Sequence, residues 1–172
     1  MKTYVTVNLS KAEKWIAARE GIRRHRYDRR KNVKPRLNAP TEYKTARWIN
    51  VVGSIGEYGV AKYLGLVDHL YTETKPIRDS VDLPPNIDVK TPQSHNRRLI
   101  VFRDGPSTSI YVLATFQNNE LRVHGWLSGY EAKQDKYLDN PAGRGFSYYV
   151  PASDLRPIPL LKSYLLDLGY SK

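Results

Sequence analysis

The chain contains no cysteine. Disulfides, thiolate zinc sites and a cysteine nucleophile are therefore excluded. No apolar run approaches the roughly 20 residues that a membrane span requires, so a membrane is not an expected partner. The opening residues, MKTYVTVNLSKAEKW, lack the apolar centre of a secretory signal. An intracellular, cytoplasmic location is the expectation. There is no glycine-rich phosphate loop ending in Lys-Ser or Lys-Thr, no HExxH zinc motif, no internal repeat and no low-complexity tract. Acidic residues are also scarce, 17 against 28 Lys and Arg, for a net charge of +11. A balance that basic points to a polyanion, with nucleic acid the first candidate.

The 172 residues suit one domain with a real core. Two parts are distinguished: a basic helical extension over residues 1–40 and a core over 41–172. Residues 2–9 alternate weakly and predict a short strand. Ser10 followed by Glu13 forms a capping box and opens a helix predicted over 11–30, with Ala12, Trp15, Ile16, Arg19 and Ile22 as its stripe. Nine cations fall in the eighteen residues from Arg19 to Arg36, against Glu20 and Asp28. Such a run is either a solvated helix face or a phosphate-contacting arm. Its density favours the arm, with Arg23, Arg26, Arg30 and Lys34 as contacts.

A second helix is predicted over 42–65, with Gly65 as its C-cap. Within it GSIGEYGVAKYLG carries more small residues than helix propensity would choose. Close passage over a sheet explains them. Glu57 lies among these small residues. A carboxylate on a packing face is costly unless it is paired or metal-bound; the plainer alternative is that Glu57 turns to the rim and meets an arginine.

In VDLPPNIDVKT, residues 81–91, Ile87 and Val89 alternate with Asp88 and Lys90. In a strand the apolar pair enters a core, while the acid and the lysine share the other face. Pro84, Pro85 and Asn86 read as a tight turn, and a hairpin about it carries Asp82 toward Asp88. Two carboxylates and an ammonium then meet at a sheet surface. This combination suits Mg²⁺-assisted phosphodiester hydrolysis or, more plainly, a solvated surface hairpin. His95, Arg97 and Arg98 follow as a basic turn beside it.

LIVF at 99–102 and IYVLATF at 110–116 read as buried strands, with 110–116 and 121–127 forming a hairpin about Asn118-Asn119. Residues 128–138 are a short helix or helical turn, and 146–150 a late strand. Leu160, Leu161, Tyr164, Leu165 and Leu168 form a closing helix stripe suited to core packing. His25, His69, His95 and His124 are scattered, and His124 is expected on a strand surface.

Glu57 in GEYGVAKYLG, Asp82, and Asp88 with Lys90 in IDVKT occur in the order of the PD-(D/E)XK nuclease superfamily, which this chain resembles. YVLATF, VHGWLSGYEA and YYVPASDLRP resemble small phage and prokaryotic members. The likeness spans residues 50–160 and leaves the basic helix outside. It implies an α/β restriction-endonuclease-like sandwich, a central mixed sheet flanked by helices. It also implies a DNA endonuclease using Mg²⁺, with Mn²⁺ able to substitute, in the host cytoplasm if phage-encoded. In such an enzyme Asp82, Asp88 and the Val89 carbonyl ligate the metal, Glu57 ligates it directly or through water, and Lys90 positions the nucleophile. The gap from Asp82 to Asp88 is short for the family and no proline precedes Asp82, so Asp79 stands as the alternative first acid. Many relatives cut as homodimers. A binding protein without chemistry on the same fold is the competing reading.

Overall fold

The computed structural model describes residues 4–34, 42–71, 81–95, 98–141, 143 and 145–170. The predicted capping box forms: the Ser10 hydroxyl accepts from the Glu13 N–H at 3.2 Å, and the Ser10 N–H donates to Glu13 Oε2 at 2.6 Å. It opens α1, Lys11–Arg30, after a short β1, Val5–Val7. The buried face of α1 differs from the predicted stripe. Ala17, Glu20, Gly21 and His25 are buried, while Trp15 and Ile16 remain 63% and 43% exposed. The cause is the close approach of α2, Tyr43–Leu64. A Cβ on Gly21 would stand 2.5 Å from Val51 Cα and 2.6 Å from the Asn50 carbonyl oxygen. No side chain fits at Gly21 itself, and with Ala17, Glu20 and His25 taking the rest of the buried face, Trp15 and Ile16 turn outward.

Gly56 and Gly59 of α2 do the work predicted for the small residues, whereas Gly53 does not, since a Cβ there would meet nothing within 4 Å. A Cβ on Gly56 would collide with the Thr91 side chain, and one on Gly59 with Leu121. The second half of α2 is buried between α1 and the sheet. Gly65 ends it in the left-handed conformation, φ 76°, its N–H reaching back to the Ala61 and Lys62 carbonyls.

The remaining elements are β2, Ile87–Lys90; β3, Leu99–Val101; β4, Ile110–Gln117; β5, Glu120–Ser128; α3, Gly129–Ala132; β6, Leu138–Asp139; β7, Ser147–Val150; and α4, Ile158–Asp167. They build an α/β architecture with two sheets where one was expected. The first is mixed, in order β1-β5-β4-β2, with β2 parallel to β4 and the other neighbours antiparallel. The second is antiparallel, in order β3-β7-β6. The unbroken apolar run of β4 explains the division. Ile110, Val112, Ala114 and Phe116 enter one core with α2 and α4. Tyr111 and Leu113 enter a second with Leu99, Val101 and Val150. A strand buried on both faces needs cover on both; helices supply it on one side and the small sheet on the other.

Two further differences follow from which face each element turns inward. In α4, Leu161 and Leu165 are buried with Ile158, but Leu160, Tyr164 and Leu168 are 56%, 47% and 48% exposed. The predicted hairpin at 81–91 is reduced to a single antiparallel bridge, Leu83 to Ile87, because β2 pairs with β4 instead. Among the described residues no helix is long and apolar enough to cross a membrane.

Replacing Gly21 with valine should force α1 from α2 and lower stability by about 1–3 kcal/mol, the range for overpacked cores. Urea unfolding measures it; an unchanged midpoint would show that the seam has slack.

Candidate functional site

β2 is an edge strand, and its alternation sets the site. Ile87 and Val89 are buried, while Asp88 and Lys90 stand half-buried on the opposite face, level with Tyr111 and Leu113 of β4. Lys90 Nζ lies 2.7 and 2.8 Å from the two Asp88 oxygens. It also sits 5.4 Å from the Phe102 ring centroid and 6.0 Å from that of Tyr111. The Leu83–Ile87 bridge, with mutual N–H···O bonds of 3.1 and 2.8 Å, folds the preceding residues back along β2. Asp82 thereby accepts the Val89 N–H at 2.7 Å.

Glu57 reaches this edge from α2. It is 5% exposed, so it stays in the packing and does not turn to the rim. It nevertheless meets an arginine. Arg24 of α1 grips it in a fork, Nη1 to Oε1 at 2.6 Å and Nη2 to Oε2 at 2.7 Å. The same guanidinium donates from Nε to Glu20 at 3.0 Å, and Arg23 binds both oxygens of Glu20 at 2.7 Å. The Arg24 guanidinium also stacks 5.8 Å from the Tyr71 ring centroid, and the Tyr71 hydroxyl donates to the Ser54 carbonyl at 3.3 Å.

Four carboxylates thus face three cations, Arg23, Arg24 and Lys90. None of those cations bonds Asp82. Burial, then the nearby charges of Glu57 and Asp88, push the Asp82 carboxyl well above its ordinary range, against the Val89 N–H and Lys90. Glu57 is also pushed up, first by burial, with Arg24 opposing and Asp88 and Glu20 adding. At Glu20 burial is outweighed by Arg23 and Arg24, and its carboxyl stays low. Burial works against the Arg24 charge, but Glu57 overcomes it and holds the guanidinium above its usual value. Arg24 and Lys90 act on Asp82 from nearby without bonding it, so of the four carboxylates it is the one without an ion pair among the described residues.

That carboxylate without an ion pair is the test of fit for a cation. Among the described residues no three Asp, Glu or His side chains form a metal cage. Mg²⁺ does not require one: it binds through one or two carboxylates and keeps its waters. Two carboxylates that repel each other, one of them without a salt-bridge partner among the named cations, match that mode. Such an ion would bind Asp82 and share Asp88 with Lys90, which holds both Asp88 oxygens, while both oxygens of Glu57 are engaged by Arg24.

The flanking candidates lie as follows. His95 donates its backbone N–H to Gln117 at 3.2 Å, and its Nδ1 lies 2.6 Å from Thr115 Oγ1. Arg98 pairs with Asp139 at 3.3 Å and stacks 5.1 Å from the Tyr149 ring centroid. Arg23, Arg26 and Arg30 are exposed along α1, and Lys34 follows its end. Asp79 and Arg97 lie outside the described residues. The expectation of a surface His124 is overturned. It is 7% exposed, and its Nε2 shares Thr115 Oγ1 at 2.7 Å, because β4 and β5 are covered on both faces. Burial first, then His95 and Arg122, lower its pKa to about 4.

Arg24, Glu20 and Tyr71 were not picked out as site residues from the sequence. A signal existed for two of them: Glu20 precedes Arg23 and Arg24 by three and four residues, the spacing at which helix side chains meet. Compared with known proteins, the chain matches no family model, no curated protein and no solved structure.

Arg24→Ala would strand Glu57 inside the protein. The expected loss is about 3–5 kcal/mol, as for other broken buried pairs, with substantial recovery in Arg24→Ala/Glu57→Gln. A double variant no better than the single one would mean that packing, not charge, holds the helices. His124 supplies a pH dependence. Its folded-state pKa of about 4 lies below the ordinary 6.5, so unfolding takes up a proton between them. Its contribution is full above about pH 6.5 and falls away toward pH 4, by at most about 3 kcal/mol. Unfolding free energies across that window should slope less steeply in His124→Gln; parallel slopes would exclude His124 as the source.

Proposed function

We propose that this chain is a divalent-metal-dependent nuclease that hydrolyses DNA phosphodiester bonds on a restriction-endonuclease-like core. What supports the reading is the placing of Asp88 and Lys90 on one face of β2, with Asp82 folded back to the Val89 amide beside them and without an ion pair among the described residues, and with the buried Glu57 close enough to act on it. Asp82 and Asp88 would hold the ion, with the Val89 carbonyl as a third oxygen, and Mn²⁺ would replace Mg²⁺. When bound, the ion polarises a phosphate oxygen and lowers the pKa of a coordinated water.

The protein's own groups do the rest. Lys90, two residues past Asp88, orients the attacking water and offsets charge that builds on the phosphate. Phe102 and Tyr111 beside its ammonium restrict where it can point. Glu57, locked by Arg24, fixes α1 and α2 against each other behind Asp82 and Asp88. The net charge of +11 draws the polyanion in.

A second reading has its own support. The Arg24 fork already neutralises Glu57, as a retired site that only binds nucleic acid would require. Incubation with plasmid, single-stranded and branched DNA, with Mg²⁺ or chelator, separates the two. Cleavage that needs the metal and falls at least a hundredfold in Lys90→Ala, with DNA binding retained, is the expected result. Salt-sensitive binding without cutting under Mg²⁺ or Mn²⁺ would establish the binding protein instead.

A further inference from the structure

The outward face of α1 is organised along its length. Arg19, Arg23, Arg26 and Arg30 recur at intervals of four, three and four residues, so they form one stripe, and all four are exposed. Trp15 stands one turn before Arg19, 63% exposed, with the Arg19 guanidinium 5.5 Å from its ring centroid. From Trp15 to Arg30 the stripe runs about 22 Å at 1.5 Å per residue.

Beside it lies a groove of about 910 Å³ whose apolar lining comes from Trp15, Ile16, Ile22, Tyr27 and Tyr71, with the four arginines at its edges. Glu20 also lines it, but its charge is taken up by Arg23 and Arg24. A second hollow of about 540 Å³ shares Trp15 and Ala18 and adds Trp48 and Phe116. Trp48 is 47% exposed. The aromatic lining thus continues past Trp15, with Lys14 as the basic residue of that second hollow.

A duplex hides its base faces in its own stack and offers such a groove little beyond phosphates. An unpaired strand offers both phosphates and bare base faces, and bases stack on aromatic side chains whatever their sequence. The groove also adjoins the acidic edge: Glu20 hydrogen-bonds Arg24, and Tyr71 stacks against it.

We propose that this groove is a track for single-stranded nucleic acid, with bases stacked on Trp15 and phosphates held by Arg19, Arg23, Arg26 and Arg30. It names the substrate form for the hydrolytic site and in that respect rests on the nuclease reading.

The test is fluorescence anisotropy in chelator, so that nothing is cut. The probes are a labelled 15-nucleotide strand, its duplex, and an abasic strand of equal length. The single strand should bind at least about fivefold tighter than either of the others, the lower bound expected of one stacked base. Trp15→Ala should weaken single-strand binding about five- to 150-fold and leave duplex binding within about twofold, while Trp15→Phe should retain most of it. Arg26→Gln/Arg30→Gln should weaken every probe and flatten the single-strand salt slope by about 1.4, near 0.7 per phosphate contact. Duplex or abasic strand binding as tightly as the single strand, or Trp15→Ala without effect, would overturn the track. A protein that passes these tests yet cuts nothing with metal would keep the track and lose the nuclease reading. One that cuts duplex regardless of Trp15 would do the reverse.

Discussion

The forked bond between Arg24 and Glu57 is the interaction on which the rest of the molecule turns. It joins the basic helix to the helix that covers the sheet, at distances of 2.6 and 2.7 Å and away from water. A guanidinium matches a carboxylate in this planar way with little freedom left over, so it sets rotation as well as distance. With Arg24 turned inward and Gly21 against Val51, the arginines at 19, 23, 26 and 30 and the ring of Trp15 must face outward. One bond thus orders two surfaces, the acidic edge and the cationic groove.

Stability alone is a poor explanation for that bond. Taking two charges out of water offsets much of what their attraction returns, and apolar replacements of similar size often fold as well. Here the buried charges are also numerous: Glu20 shares Arg24 with Glu57, and Asp88 stands close enough to raise both Asp82 and Glu57 further. A fold chosen only for its core would not concentrate carboxylates at one edge of a chain with so few of them. That concentration is the ground on which the proposed hydrolytic site rests.

Local signals were legible and accurate. The Ser10–Glu13 box, Gly65 as a C-cap and the alternation of Ile87–Lys90 each depend on neighbours a few residues apart, and each formed as expected. The small residues at Gly56 and Gly59 were legible as a close contact, though not as contacts to Thr91 and Leu121. The buried face of α1 was misjudged because hydrophobic periodicity assumes that large apolar residues turn inward. A helix seam this tight leaves no room for a side chain at Gly21, and Ala17, Glu20 and His25 take the rest of the buried face. The α4 stripe failed for a related reason: several leucines are available, and only the sheet decides which of them it covers. His124 alternates as a surface residue does, but a strand covered on both faces has no surface side.

The composition and order of residues alone determined a basic chain without cysteine, its helix ends, the strand that shows Asp88 and Lys90 on one face, and the acids available to the site. Those properties arise from bonding and sterics over a few residues. Tertiary structure alone decided that β3 leaves the mixed sheet, that Asp82 reaches the Val89 amide, and that Arg24, thirty-three residues before Glu57, is its partner. Such pairings depend on where two distant backbones cross, and that crossing is set by the packing of the whole core.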